Sequence, residues 1–295
     1  MTDVATGLYR PAGSLAASGW SVILTPESAG WAFSGLRVGA LGPGRSLDYT
    51  NDADEVAVLP LEGSFEVTVD GQRLTLAGRP NVWAGPSDFV YAPPGSSIEV
   101  ASAAGGRFAV ATARARARYP VRHVPASAVA IEMRGAGACS REVRNFAAAD
   151  HFEADRLIAV EVLTPGGNWG SYPPHKHDEA RDGETELEEI YHYVVADGPT
   201  GPGLAYQHVY GTADRPIDLL TTVRTGDVVL VPHGWHGPAM AAPGYDLYYL
   251  NVMAGPGERR WRAPDDPTHR WVRETWADQA IDARLPFGRG GSGRS

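Results

Sequence analysis

Two stretches of the chain, "SDFVYAPPGSSIEVASAAGGRFAVA" from Ser87 and "GDVVLVPHGWHGPAMAAPGYDLYYL" from Gly226, align without a gap. Asp88 falls on Asp227, Pro93 on Pro232, Gly95 on Gly234 and Gly105 on Gly244, all at one offset of 139 residues. Four matches at one offset, within the same apolar and turn pattern, read as an internal duplication. Each copy runs strand ("FVYA", "VVLV"), Pro-Gly turn, strand, Gly turn, strand, the meander of an antiparallel barrel or jelly roll. At 295 residues the chain is long enough to give each copy its own core, and 35 glycines and 23 prolines supply the turns that many short strands need.

The expected fold is therefore all-β, with two antiparallel barrel or jelly-roll domains. Upstream of the first repeat, "EVAVLPLEGSFEVTVDGQRLTL" adds strands joined by a hairpin turn at Asp70-Gly71; "EIYHYVVADG" takes the same place in the second half. A helical spacing of apolar residues occurs only in "PTHRWVRETWADQAI", and the final "GRGGSGRS" is expected to be mobile. Between about residues 115 and 140 the strand-turn rhythm fades, which suggests domains over 1–120 and 121–295.

A formal charge of −9 argues against nucleic acid as a partner. The densest basic run, around Arg114, Arg116 and Arg118, alternates as the solvent face of a strand would. A single cysteine, Cys139, allows no internal disulfide, and neither a signal-peptide pattern nor a run of 18 apolar residues is present. A cytoplasmic protein with no membrane partner is expected.

The chemistry concentrates in "YPPHKHDEARDGETELEEIYHY", residues 172–193, although no histidine precedes His123. In extended chain, His175 and His177 share a face while Lys176 points away. Glu189 leads the next strand, and "VPHGWHGP" offers His233 and His236 after the repeated turn. A lone histidine is usually a surface or core residue, but this set, with its carboxylate, suits one divalent zinc, manganese or iron ion better than calcium or magnesium. Glu188 competes with Glu189, because one residue of register would exchange them. The acidic string Asp178, Glu179, Asp182, Glu184 and Glu186 reads as a solvated loop. The first copy has Ser97 where the second has His236, and only Glu55 echoes Glu189, so the first barrel is expected to carry no metal site and to serve as a structural or oligomerising partner rather than a second active site.

These residues resemble a bicupin, and more narrowly the 5-deoxyglucuronate isomerase family of bacterial myo-inositol catabolism. "ADRLIAVEVLTPGGNWGSYPPHKHDE", "ETELEEIYHY", "YQHVYGT" and "APGYDLYYLNVMAGP" carry the resemblance, which is densest from about residue 140 to 257. It implies a metal-dependent isomerisation of 5-deoxy-D-glucuronate to 5-dehydro-2-deoxy-D-gluconate, with a small sugar acid as substrate and a homo-oligomer as one allowed assembly. The ligand pattern of sister uronate isomerases falls on His175, His177, Glu189 and His236. One departure stands out: the segment reads "PHGWHGP", so His233 is extra and Gly237 separates His236 from Pro238. Tyr191, Tyr193, Gln207, Tyr249 and Asn251 lie on strands that could line the barrel, and Arg141, Arg144 and Arg181 are available for the substrate carboxylate. The alternatives are another metal-dependent bicupin enzyme, such as a dioxygenase, or a non-catalytic sugar-binding cupin.

Overall fold

The computed structural model describes residues 7–288. Antiparallel strands dominate. A nine-stranded sheet collects the strands from Trp20–Leu24 to Arg122–Val124, with the long strand Asp54–Val69 and its partner Gly106–Arg114 at its centre. A seven-stranded sheet runs Tyr9–Arg10, Val228–Val231, Glu188–Val195, Leu247–Ala254, Ile158–Thr164, Arg141–Ala147 and Ala130–Arg134, and a three-stranded sheet of Asp218–Val223, Ala205–Tyr210 and Ala239–Ala241 completes the second barrel.

Alternation explains how the pieces fit. Along Asp54–Val69, Val56 and Val58 enter the interior of the first barrel with Val90, Phe108 and Val110, while Ala57 and Leu59 face the other way. Those outward residues join Leu36, Ala109, Ile158, Ile190, Leu250 and Val252 in one apolar cluster, so the two large sheets bury their faces against each other. The hairpin at Asp70-Gly71 forms as expected: both residues have positive φ, 49° and 83°, and join Asp54–Val69 to Gln72–Arg79.

Sheet membership crosses the division expected at residue 120. Arg122–Val124 pairs with Phe89–Tyr91 of the first sheet, and Tyr9–Arg10 pairs with Val228–Val229 of the second. We propose a division between Val124 and Ala130, with the strand Tyr9–Arg10 assigned to the second barrel. Two carboxylates tie the barrels together reciprocally. Glu55 accepts from the backbone N–H groups of Asp155, Arg156 and Leu157 at 2.9, 2.6 and 2.7 Å. Glu188 accepts from those of Ala32, Phe33 and Ser34 at 2.7, 2.9 and 2.8 Å. Each residue opens its barrel's long strand and holds the chain entering a strand of the other barrel. The structural counterpart of Glu55 is therefore Glu188, not Glu189.

The short C-terminal helix forms where its spacing placed it, over Trp271–Glu274, and is followed by a 3-10 turn over Thr275–Asp278; it stays short because the segment buries no apolar stripe. Of the alternating arginines only Arg114 lies on a strand, where it pairs with Asp54 and Glu27; Arg116 and Arg118 follow the strand's end. The tail falls outside the described residues after Gly288. No helix among the described residues is long and apolar enough to cross a membrane.

Candidate metal centre

Pro173 and Pro174 offer no N–H groups to a ladder, so "HKH" does not form the regular strand its spacing suggested. Instead, His175 makes an isolated antiparallel bridge to His236, with N–H to carbonyl distances of 2.9 and 2.8 Å in the two directions. His177 is held by its carbonyl, which accepts from Leu187 N–H at 2.8 Å. The expected division of faces survives: His175 and His177 turn inward, and Lys176 turns away toward Asp178, Glu179 and Glu184. The acidic string is solvated only in part: Asp182 and Glu186 are exposed as expected, but its other members are drawn in around Lys176. Glu184 is buried and Asp178 largely so, because the Lys176 ammonium lies 2.7 Å from each, and Arg181 and Arg215 close the network.

The ring nitrogens of His175, His177 and His236 lie within 4.8 Å of one another. Glu189, paired in register with Val231 and Met253, puts Oε2 3.0 Å from His177 Nε2 and 2.9 Å from His236 Nε2. Those two nitrogens are themselves 3.0 Å apart. Carbonyl acceptors fix both rings from behind: Leu187 O at 3.2 Å from His177 Nδ1 and Gly234 O at 2.8 Å from His236 Nδ1. With Nδ1 carrying the proton, each Nε2 presents a lone pair to the centre. Two lone pairs and a carboxylate oxygen thus converge, and only positive charge among them relieves the repulsion.

Electrostatics in the cluster point the same way. Burial alone would raise the Glu189 carboxyl, yet without an ion the cluster takes up protons on Nε2, and the resulting N–H donors and positive charge of His177 and His236 hold the carboxyl well below the usual carboxylate range. Burial that would lower His177 is outweighed by Glu189. A bound cation supplies the same positive charge in place of those protons. Burial, reinforced by the neighbouring imidazoles of His236 and His177, keeps His175 neutral, the form that binds metal. His175 Nε2 and Glu189 Oε1 are buried with no partner. Ligand atoms around a tetrahedral zinc ion lie about 3.3 Å from one another; those of His177, His236 and Glu189 lie 2.9–3.0 Å apart and that of His175 within 4.8 Å of the other imidazoles, so the residues fit a divalent cation held by three imidazoles and one carboxylate.

Gly237 accounts for the departure seen in "PHGWHGP". Its φ is 110°, and a Cβ there would come within 2.8 Å of His175 Cε1, so glycine lets the chain pass directly over the ring. His233 stands outside the cluster; its neighbours are Arg215 and Asp178, and burial lowers its basicity. Glu188 faces the first barrel.

Beside the cluster is a cleft lined by Arg134, Arg141, Ser171, His175, Tyr191, Tyr249, Asn251 and Trp261. Tyr191 and Tyr249, both expected at the site, are in it, with ring centroids 5.1 Å apart. Gln207 is not. It lies deeper, accepting from the Tyr193 hydroxyl at 2.9 Å, and packs rather than lines the cleft. Burial raises both cleft tyrosines far above the ordinary phenol value, so they remain protonated. Sequence reasoning missed Arg134, Ser171 and Trp261; only Ser171, next to "YPPHKH", carried a local hint.

Residues 8–272 match the KduI/IolB family. A protein of Geobacillus kaustophilus named 5-deoxy-glucuronate isomerase is 41% identical over 271 residues, covering 91% of this chain and 96% of the relative. The crystal structure of an IolB-like protein from Salmonella typhimurium LT2 superposes with a TM-score of 0.83 at 34% identity, covering 90% of this chain and 98% of that one. An oxalate decarboxylase from Lactobacillus farciminis, 12% identical with a TM-score of 0.61 over 88% of each chain, shares the fold alone. The architecture is that of a bicupin, and the chain belongs to the KduI/IolB family.

Proposed function

We propose that the chain is a metal-dependent aldose-ketose isomerase converting 5-deoxy-D-glucuronate to 5-dehydro-2-deoxy-D-gluconate. The observation that carries this reading is the near full-length match to a relative named for that isomerase activity. The convergence of His175, His177, Glu189 and His236 beside a cleft whose lining includes Arg141, Ser171 and Asn251 supports it.

The reaction is internally balanced. The aldehyde carbon gains a hydrogen and becomes a primary alcohol, the neighbouring carbinol carbon loses one and becomes a ketone, and no outside oxidant takes part. A divalent cation bound by the three imidazoles and Glu189, with zinc, manganese and iron all suited, would polarise the carbonyl and adjacent hydroxyl and stabilise the charge that develops on their oxygens. The chain's own residues do the rest. Leu187 O and Gly234 O hold His177 and His236 in the ligating tautomer. Tyr191 and Tyr249, kept protonated by burial, offer hydrogen bonds to sugar oxygens and are poor bases at neutral pH.

An NMR time course with metal-loaded protein and 5-deoxyglucuronate tests the proposal. The ketose should appear and a chelator should stop it. Absence of product with fully loaded, folded protein sinks the reading.

A further inference from the structure

A sugar acid has two ends, and the metal centre accounts for one. This inference rests on the isomerase reading above and concerns the other end, the carboxylate. Drawing a carboxylate from water into a buried cleft is costly unless a cation with aligned N–H donors receives it.

The arginines differ in whether they are free to do so. Arg181 is half exposed and paired with Glu184 and Glu179. Arg144 is fully buried, but Glu142 lies 2.6 Å from its Nε, and its Nη1 donates to the carbonyls of Val82 and Gly85 in the first barrel. Arg134 lines the cleft but makes a two-pronged contact with Glu132, at 3.0 and 2.7 Å. Arg141 is unlike all three. It is buried, lines the cleft with His175, and has no carboxylate partner among the described residues. Its guanidinium donates only to neutral acceptors: Cys139 O at 3.0 Å, Tyr172 O at 3.4 Å and Ser171 Oγ at 2.8 Å.

A buried cation without an anion is costly to keep. Burial pushes the Arg141 guanidinium down to about 10, which still leaves it charged at neutral pH. Nearby in the same cleft, Asn251 Nδ2 is buried and has no acceptor. Tyr249 lines the same cleft, and no carboxylate lines it beside Arg141 and Asn251. A cleft with a free cation and an orphan amide at its wall is complementary to an anion that arrives with the ligand.

We propose that Arg141, assisted by Asn251, binds the carboxylate of the sugar acid and sets the preference for acids over neutral aldoses. The test compares kcat/KM for 5-deoxyglucuronate with that for 5-deoxyglucose, in which a hydroxymethyl group replaces the carboxylate. Wild type should prefer the acid by about a hundredfold. In Arg141→Gln the preference should collapse to within about tenfold, mostly through KM, as expected for loss of uniform binding. Metal content reports whether the centre itself survives. Arg141→Lys retains the buried charge but not the fork of donors, and should lower the preference by roughly tenfold; it serves as the folded variant if the glutamine variant misfolds. A purely structural role for Arg141 predicts that both substrates suffer equally, so an unchanged ratio in either folded variant overturns the assignment. Wild type inert toward both substrates would instead sink the isomerase reading, and this assignment with it.

Discussion

The long strand that opens each barrel is turned to a different use. In Asp54–Val69 the interior positions are Val56 and Val58, closed among Val90, Phe108 and Val110. In Glu188–Val195 they are Glu189, Tyr191 and Tyr193, surrounded by His177, His236, Tyr249 and Gln207. The residue just before each interior set, Glu55 or Glu188, plays the same part in both, clamping the other barrel's backbone. Duplication has kept the joint and changed the lining. An apolar interior supports the fold by itself, whereas a polar interior with orphan atoms such as His175 Nε2 and Asn251 Nδ2 is costly until a ligand satisfies it.

The sharpest break between the halves should come from the ligands. Substituting alanine for His175, His177 or His236, or glutamine for Glu189, should remove most bound metal and lower turnover by about a thousandfold or more, while circular dichroism shows a folded chain. Full metal occupancy in these variants would undo the ligand set. Glu188→Gln is the control on register, expected to keep its metal because that side chain faces the first barrel.

Next in size is the joint. Glu55→Ala and Glu188→Ala each strand three backbone donors and should cost about 3 kcal/mol or more of stability by urea denaturation, with metal content preserved in the folded fraction. If Glu55→Ala lost metal as Glu189→Gln does, Glu55 would be a functional counterpart of Glu189 after all.

A smaller effect concerns pH. His192, on the same strand but turned from the centre, is buried with Nδ1 unpartnered, and burial, with Arg107 adding, pushes it down from 6.5 to about 4. The unfolded chain then takes up a proton at pH values where the folded chain does not, so this residue's contribution to stability is present above pH 6.5 and lost as pH falls toward 4. Between pH 7 and pH 5 the loss should be about 2 kcal/mol, and His192→Leu should flatten the urea midpoint across that interval. Least affected should be His233→Ala, which leaves the cluster intact; retained metal and turnover would agree with its place beside Arg215.

Much of this was legible in the sequence because the signals were local. The repeated turn pointed to two barrels, the spacing of His175, His177 and Glu189 pointed to a candidate centre, and the family resemblance favoured His236 over His233 as its last member. What escaped depends on contacts between distant segments. Nothing near Glu55 announces that it clamps residues one hundred positions away, and an acidic string looks solvated until Lys176 is seen buried among it. Arg141, Arg144 and Arg181 were indistinguishable as letters; they separate only when each one's partners are known. Gln207 is buried and held by the Tyr193 hydroxyl, and neither residue lines the cleft.

The central claim is that one barrel holds one ion in a shell of three imidazoles and one carboxylate. Metal quantification combined with X-ray absorption at the metal edge, on the wild-type protein, tests it most directly. The account predicts one equivalent per chain, with nitrogen and oxygen neighbours and several imidazoles in the shell. Two equivalents per chain, a sulfur ligand from Cys139, or a shell without imidazole would contradict it.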